Sequence, residues 1–122
     1  MENNEKISVL LKVVGVSPAN YGWRYIRDAV NIVLEDEEAI NYITKRLYPN
    51  IARKYGVTAQ SVERAIRYSI VDAFNIMPKD VAHNIFRNTI RKNGKVTNSE
   101  FISTLAELIK SEPNNPIWMR SN

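Results

Sequence analysis

The chain has 122 residues, 44% of them hydrophobic and 25% charged, with a net charge of +4 and no cysteine. That is the length of one domain, able to bury roughly two thirds of its unfolded surface without a metal or disulfide staple. The missing cysteines exclude disulfides, thiolate metal sites and cysteine nucleophiles. Charge is unevenly placed: Lys45 to Lys95 holds eleven Lys/Arg against three Asp/Glu, and the remainder six against ten. A basic middle between acidic flanks points to an anionic partner, or to a merely solvated basic face.

The leader "MENNEK" is polar and lacks the basic-then-apolar order of a signal peptide. The run "ISVLLKVVGV" is interrupted by Lys12 and too short to span a bilayer, so a soluble, cytoplasmic protein is expected, with no membrane partner. Helical spacing dominates from there. Ile7, Leu10, Leu11 and Val14 mark a short first helix, ended by "GVSP"; Trp23, Ile26, Val30, Val33 and Leu34 mark a second. "EDEE", Glu35 to Glu38, reads as acidic capping of a helix start rather than as a reaction centre. Ala39, Ile40, Ile43 and Leu47 predict a third helix, which Pro49 ends or whose successor it starts.

Two short helical pieces then flank Gly56, and Val81, Ile85, Phe86 and Ile90 predict a further helix closed by "NGK". The last helix opens on "TNSE", Thr97 to Glu100, a capping box, and buries Phe101, Leu105, Leu108 and Ile109. Beyond "SEPNNP", the tail residues Ile117, Trp118 and Met119 either dock on the body or meet a partner. The expected product is a compact all-α domain over residues 1–112 with a tail over 113–122.

"NIARKYGVTAQSVERAIR", Asn50 to Arg67, carries the chemistry. A helix-turn-helix needs a small residue at the crossing, a turn residue that tolerates a left-handed backbone, and apolar residues between its helices. Ala52, Gly56, and Ile51, Tyr55, Val57, Val62 and Ile66 supply these, with Ala65 small on the inward side and Thr58 as N-cap. An ordinary helical hairpin uses the same packing rules. With Val62, Ala65, Ile66, Ser69, Ile70 and Ala73 inward, Gln60, Arg64, Arg67 and Val71 share the outer face, with Ser61, Glu63 and Tyr68 beside it.

Arg grips guanine O6 and N7 with two hydrogen bonds, Gln does the same to adenine, and Glu accepts from cytosine. Glu63 also precedes Arg67 by four residues, the order that favours a surface ion pair able to pre-orient the arginine. Lys54 and Lys95 are candidates for DNA-backbone contact. Enzyme chemistry finds no support, and no cofactor or metal is expected. His83 is the lone histidine, the glycines form no phosphate loop, and Asp28, Asp72 and Glu107 are too widely spread for a pair.

"LYPNIARKYGVTAQSVERAIRYSIVDA" with "TNSEFI", and "GVSPANYGWRYIRDAV", resemble the C-terminal DNA-binding domain of the sporulation master response regulator of endospore-forming bacteria, from about Ile7 to Ile109. The resemblance implies a six-helix fold with its helix-turn-helix at about 48–75 and the recognition helix at about 59–75. It also implies sequence-specific binding to short promoter boxes, with two chains on tandem boxes, and contact with the sigma subunit of RNA polymerase. Glu63, Arg64 and Arg67 match positions that resemble the family's base- and phosphate-contacting residues; together with Gln60 and Ser61 they are the expected base contacts, and Arg53, Lys54, Thr58 and Lys95 the expected DNA-backbone contacts. Phe86 and Lys95 match positions tied to polymerase contact. Ser61 stands where the family usually has arginine, and "FNIM", Phe74 to Met77, replaces "W-S-R-G". A phosphate-receiving domain is not among these 122 residues, which fits either a fragment or a stand-alone relative. The competing reading is a receiverless interaction module that antagonises a related regulator or polymerase.

Overall fold

The computed structural model describes residues 2–87, 89, 90 and 94–111; the tail residues Ile117, Trp118 and Met119 lie outside them. Among the described residues there are six α-helices and no strand: α1 (Glu2–Val13), α2 (Tyr21–Glu35), α3 (Tyr48–Tyr55), α4 (Ala59–Ile76), α5 (Lys79–Phe86) and α6 (Asn98–Ser111). No helix among them is long and apolar enough to cross a membrane.

α2 is the central post, touching α1, α3, α4 and α6. Its inward stripe of Ile26, Ala29, Val30 and Val33 meets Ile7, Leu10, Leu11 and Val14 of α1 and Phe101, Ile102, Leu105 and Ile109 of α6 in one buried core. An aromatic cluster closes the α5 end: Phe86 stacks on Phe101 at 5.1 Å between centroids, and Phe74 leans on Phe86 at 5.2 Å.

α1 starts earlier than the apolar pattern predicts, because "ENNEK" contains no helix breaker and extends the same turn toward the N-terminus. Gly15, at φ +84°, then closes it: the N–H of Val16 donates to the carbonyl of Leu11 at 2.9 Å, five residues back. The predicted third helix is not α-helical. Glu37–Tyr42 winds as a 3₁₀ helix and Ile43–Leu47 as a π-helical turn, and Pro49 lies in the first turn of α3, where its missing N–H costs nothing. Asp36 caps the 3₁₀ piece by accepting from the N–H of Glu38 at 3.2 Å, and Glu37 pairs with Lys110 of α6. Structural work therefore accounts for "EDEE". α5 is shorter than predicted: it ends at Phe86, whose carbonyl accepts from the N–H groups of Thr89 and Ile90, both at 2.8 Å, so Ile90 lies beyond the helix.

α2 and α4 cross unusually closely. A Cβ on Gly22 would lie 2.1 Å from Ser69 Oγ and 2.3 Å from the carbonyl oxygen of Ala65, so only glycine fits. The contact fixes where the outward face of α4 stands relative to the body.

Candidate nucleic-acid interface

α3 stops at Gly56 because that residue takes the left-handed conformation, φ +66°, and its N–H and that of Val57 both bond the carbonyl of Ala52. Two residues later Thr58 begins α4, its Oγ1 accepting from the N–H of Ser61 at 3.0 Å. The Thr58 hydroxyl donates to Ser61 Oγ at 2.8 Å, so its proton is spent inside the cap and it offers a phosphate no hydroxyl donor in this arrangement. Between these helices Ile51, Ala52, Val62 and Ile66 are buried, but Val57 is not the core residue its pattern predicts. It sits in the turn, 39% exposed, because the left-handed step at Gly56 throws the chain outward before α4 resumes.

Two polar anchors hold this pair of helices. Asp28 of α2 is nearly buried: Oδ2 accepts from the Tyr55 hydroxyl at 2.5 Å and from Lys54 Nζ at 3.0 Å, and Oδ1 from Arg27 Nε at 3.2 Å. Burial, then the bond to Asp28, holds the Tyr55 pKa above its ordinary value, and the same carboxylate raises that of Lys54. At the other end, Asn98 Nδ2 donates to the Tyr48 hydroxyl at 3.0 Å and to the backbone carbonyl of Glu63 at 3.2 Å, tying the start of α6 to α3 and α4. Burial raises the Tyr48 pKa. Neither Asp28 nor Asn98 is visible as an anchor in the sequence, since the partners they reach on α3 lie 26 to 50 residues away.

The capped helix presents Gln60, Ser61, Arg64, Arg67, Tyr68 and Val71, all exposed. Arg64 is exposed and has no hydrogen bond or ion pair with any described residue, so its five N–H donors are not taken up within the described fold. Arg67 is held instead: its Nη1 donates to Glu63 Oε1 and Oε2 at 3.2 and 2.9 Å. Among the backbone candidates, Arg53 is exposed at the end of α3, and Lys54 shares its charge with Asp28 while staying more than half exposed. Lys95 is exposed in the loop that enters α6, and with Gly94 and Val96 it lines one side of a largely apolar groove of about 810 Å³. Glu63, Arg67, Val71 and Phe74 of α4 form the other side.

Phe86 does not join this surface. Its ring is fully buried between Phe74 and Phe101 and offers no exposed surface of its own; its size serves the core.

The sequence matches the family described as Sporulation initiation factor Spo0A C terminal over residues 7–109, from the first core residue of α1 to the last of α6. The chain belongs to this family and is a DNA-binding effector domain of a sporulation regulator.

Proposed function

We propose that the chain reads short promoter boxes in double-stranded DNA by seating α4 in the major groove. The observation that carries this reading is the exposed guanidinium of Arg64, without an ion pair among the described residues, in the middle of the outward face, one turn after Gln60. An exposed arginine with no ion pair among the described residues contributes little to the fold, while its planar fork matches the O6 and N7 edge of guanine. Gln60 suits adenine. Glu63 either accepts from a cytosine amino group or holds Arg67 for a second guanine. Ser61 offers a short hydroxyl to either base type, and Val71, 57% exposed, suits a thymine methyl.

Phosphate contacts fall to Arg53, Lys54 and Lys95, and to Thr58 through the backbone at the start of α4. For the sigma-subunit contact implied by the resemblance, the surface around Lys95 is the candidate, and two chains on tandem boxes are the expected arrangement. Selection of bound sequences from random duplex DNA tests the reading. Enrichment of one short box supports it, and no enrichment removes it.

A second reading has its own observation. The groove bordered by Ile43, Ile70, Val71 and Phe74 is apolar enough to take a protein segment, as an interaction module would require. A failed selection together with capture of a related regulator or polymerase would favour it.

A further inference from the structure

Arg24 lies outside the basic stretch between Lys45 and Lys95, near the start of α2. It is exposed, and its guanidinium carbon stands 5.8 Å from the centroids of two rings, Tyr21 and Tyr55. It makes no hydrogen bond or ion pair with any described residue. Arg27, one turn further along the same helix, also lies over a ring, that of Trp23, but it is part-buried and bonds Asp28 and Tyr55. Stacking over aromatic faces fixes a guanidinium while leaving the N–H groups at its edge unused. An arginine held in this way and given no acid is prepared for an anion from outside.

The position of Arg24 says which anion. Tyr55 is the last residue of α3, immediately before the Gly56 turn into α4, so the guanidinium over its ring stands at the α3 end of the turn that leads into the recognition helix. The first turn of α2 is pressed onto the flank of α4 at Gly22, against Ala65 and Ser69. The loop carrying Lys95 borders the opposite flank, beside Glu63 and Arg67. A major groove about 12 Å wide is filled by one helix with its side chains, so elements packed on that helix's two flanks meet the two sugar-phosphate backbones.

We propose that Arg24, propped on Tyr21 and Tyr55, grips a backbone phosphate on the α2 side of the groove, opposite Lys95. This inference rests on the placement of α4 in the major groove. Tyr21, 71% exposed, is the outer support that orders the arginine.

The test is the salt dependence of binding to the selected box and to a random duplex, for the wild type and for Arg24→Gln, Arg24→Lys, Tyr21→Ala and Arg64→Ala. Losing one phosphate contact lowers the slope of log K against log salt by about 0.9. Arg24→Gln is expected to show that loss equally on both duplexes with base preference intact. Arg24→Lys should keep the slope, and Tyr21→Ala should keep it while weakening binding about two- to fivefold. An unchanged slope in Arg24→Gln overturns the inference, as does a change of base preference. If Arg64→Ala still loses discrimination in that experiment, the groove reading survives the failure. If the wild type binds no duplex, both fall.

Discussion

Arg67 and Glu63 stand one turn apart on α4, and a single guanidinium nitrogen bonds both oxygens of the carboxylate, at 3.2 and 2.9 Å. The pair is exposed, so its contribution to stability is small, about 0.3 to 0.5 kcal/mol. Its effect lies in aim, since it limits where Arg67 reaches. Glu63→Ala should leave the urea midpoint almost unmoved yet lower the preference for the selected box over random duplex by about 1 kcal/mol, because a released Arg67 turns to phosphates. Equal preference in wild type and variant would show that the pair is idle in recognition.

The α2–α4 crossing gives a stability prediction with a clear sign. Gly22→Ala gains helix propensity of about 1 kcal/mol but places a methyl group 2.3 Å from a backbone oxygen and 2.1 Å from Ser69 Oγ. The clash wins, and a net loss of about 1 to 3 kcal/mol is expected in urea unfolding. Ser69→Gly should not rescue it, because the carbonyl of Ala65 remains. Full rescue would mean that the side chain alone sets the crossing distance.

Gly56→Ala tests the turn by itself. A Cβ there meets nothing within 4 Å, so the whole cost is the left-handed backbone at φ +66°, about 1 to 2 kcal/mol. DNA preference should survive in the folded fraction. A stability loss near zero would show that the turn relaxes to another conformation.

The anchor at Asp28 predicts an alkaline limb. Tyr55 keeps its proton in the folded state above its ordinary value of 10.0, and Lys54 above 10.5. The folded state thus binds more protons than the unfolded one at high pH. This stabilisation is complete below about pH 10 and is lost as pH rises through the folded values. Tyr55→Phe should cost about 1 kcal/mol at pH 7 and flatten part of the decline above pH 10, leaving the share of Tyr48, whose pKa burial also raises, and the smaller, solvent-screened share of Lys54. Parallel stability profiles for wild type and variant would remove Tyr55 as the source.

Local chemistry was the legible part of this fold. The cap at Thr58, the turn at Gly56 and the "TNSE" box each depend on neighbours within four residues; in the box, Thr97 and Glu100 bond each other's N–H groups at 3.1 and 2.9 Å. The 37–47 segment was misread because residues three apart share a face in a 3₁₀ helix as they do in an α-helix. Asp28 looked like a scattered carboxylate because spacing along one helix says nothing about Lys54 and Tyr55 on another. Arg24 is hidden from the sequence for a related reason: charge counted along the chain cannot show that α2 brings a cation from the acidic flank over Tyr55 at the end of α3. Phe86 is buried although the resemblance ties its position to a contact surface, because a resemblance transfers a position but not the exposure of its side chain.

The central claim is that Arg64 reads a base. Competition binding of wild type and Arg64→Ala to the selected box and to its single-base-pair variants tests it most directly. The expected result is a loss of about 1 to 3 kcal/mol on the selected box, flattened preference at one base pair, and little change on random duplex. An equal loss on every duplex, or no loss on the box, would contradict the claim.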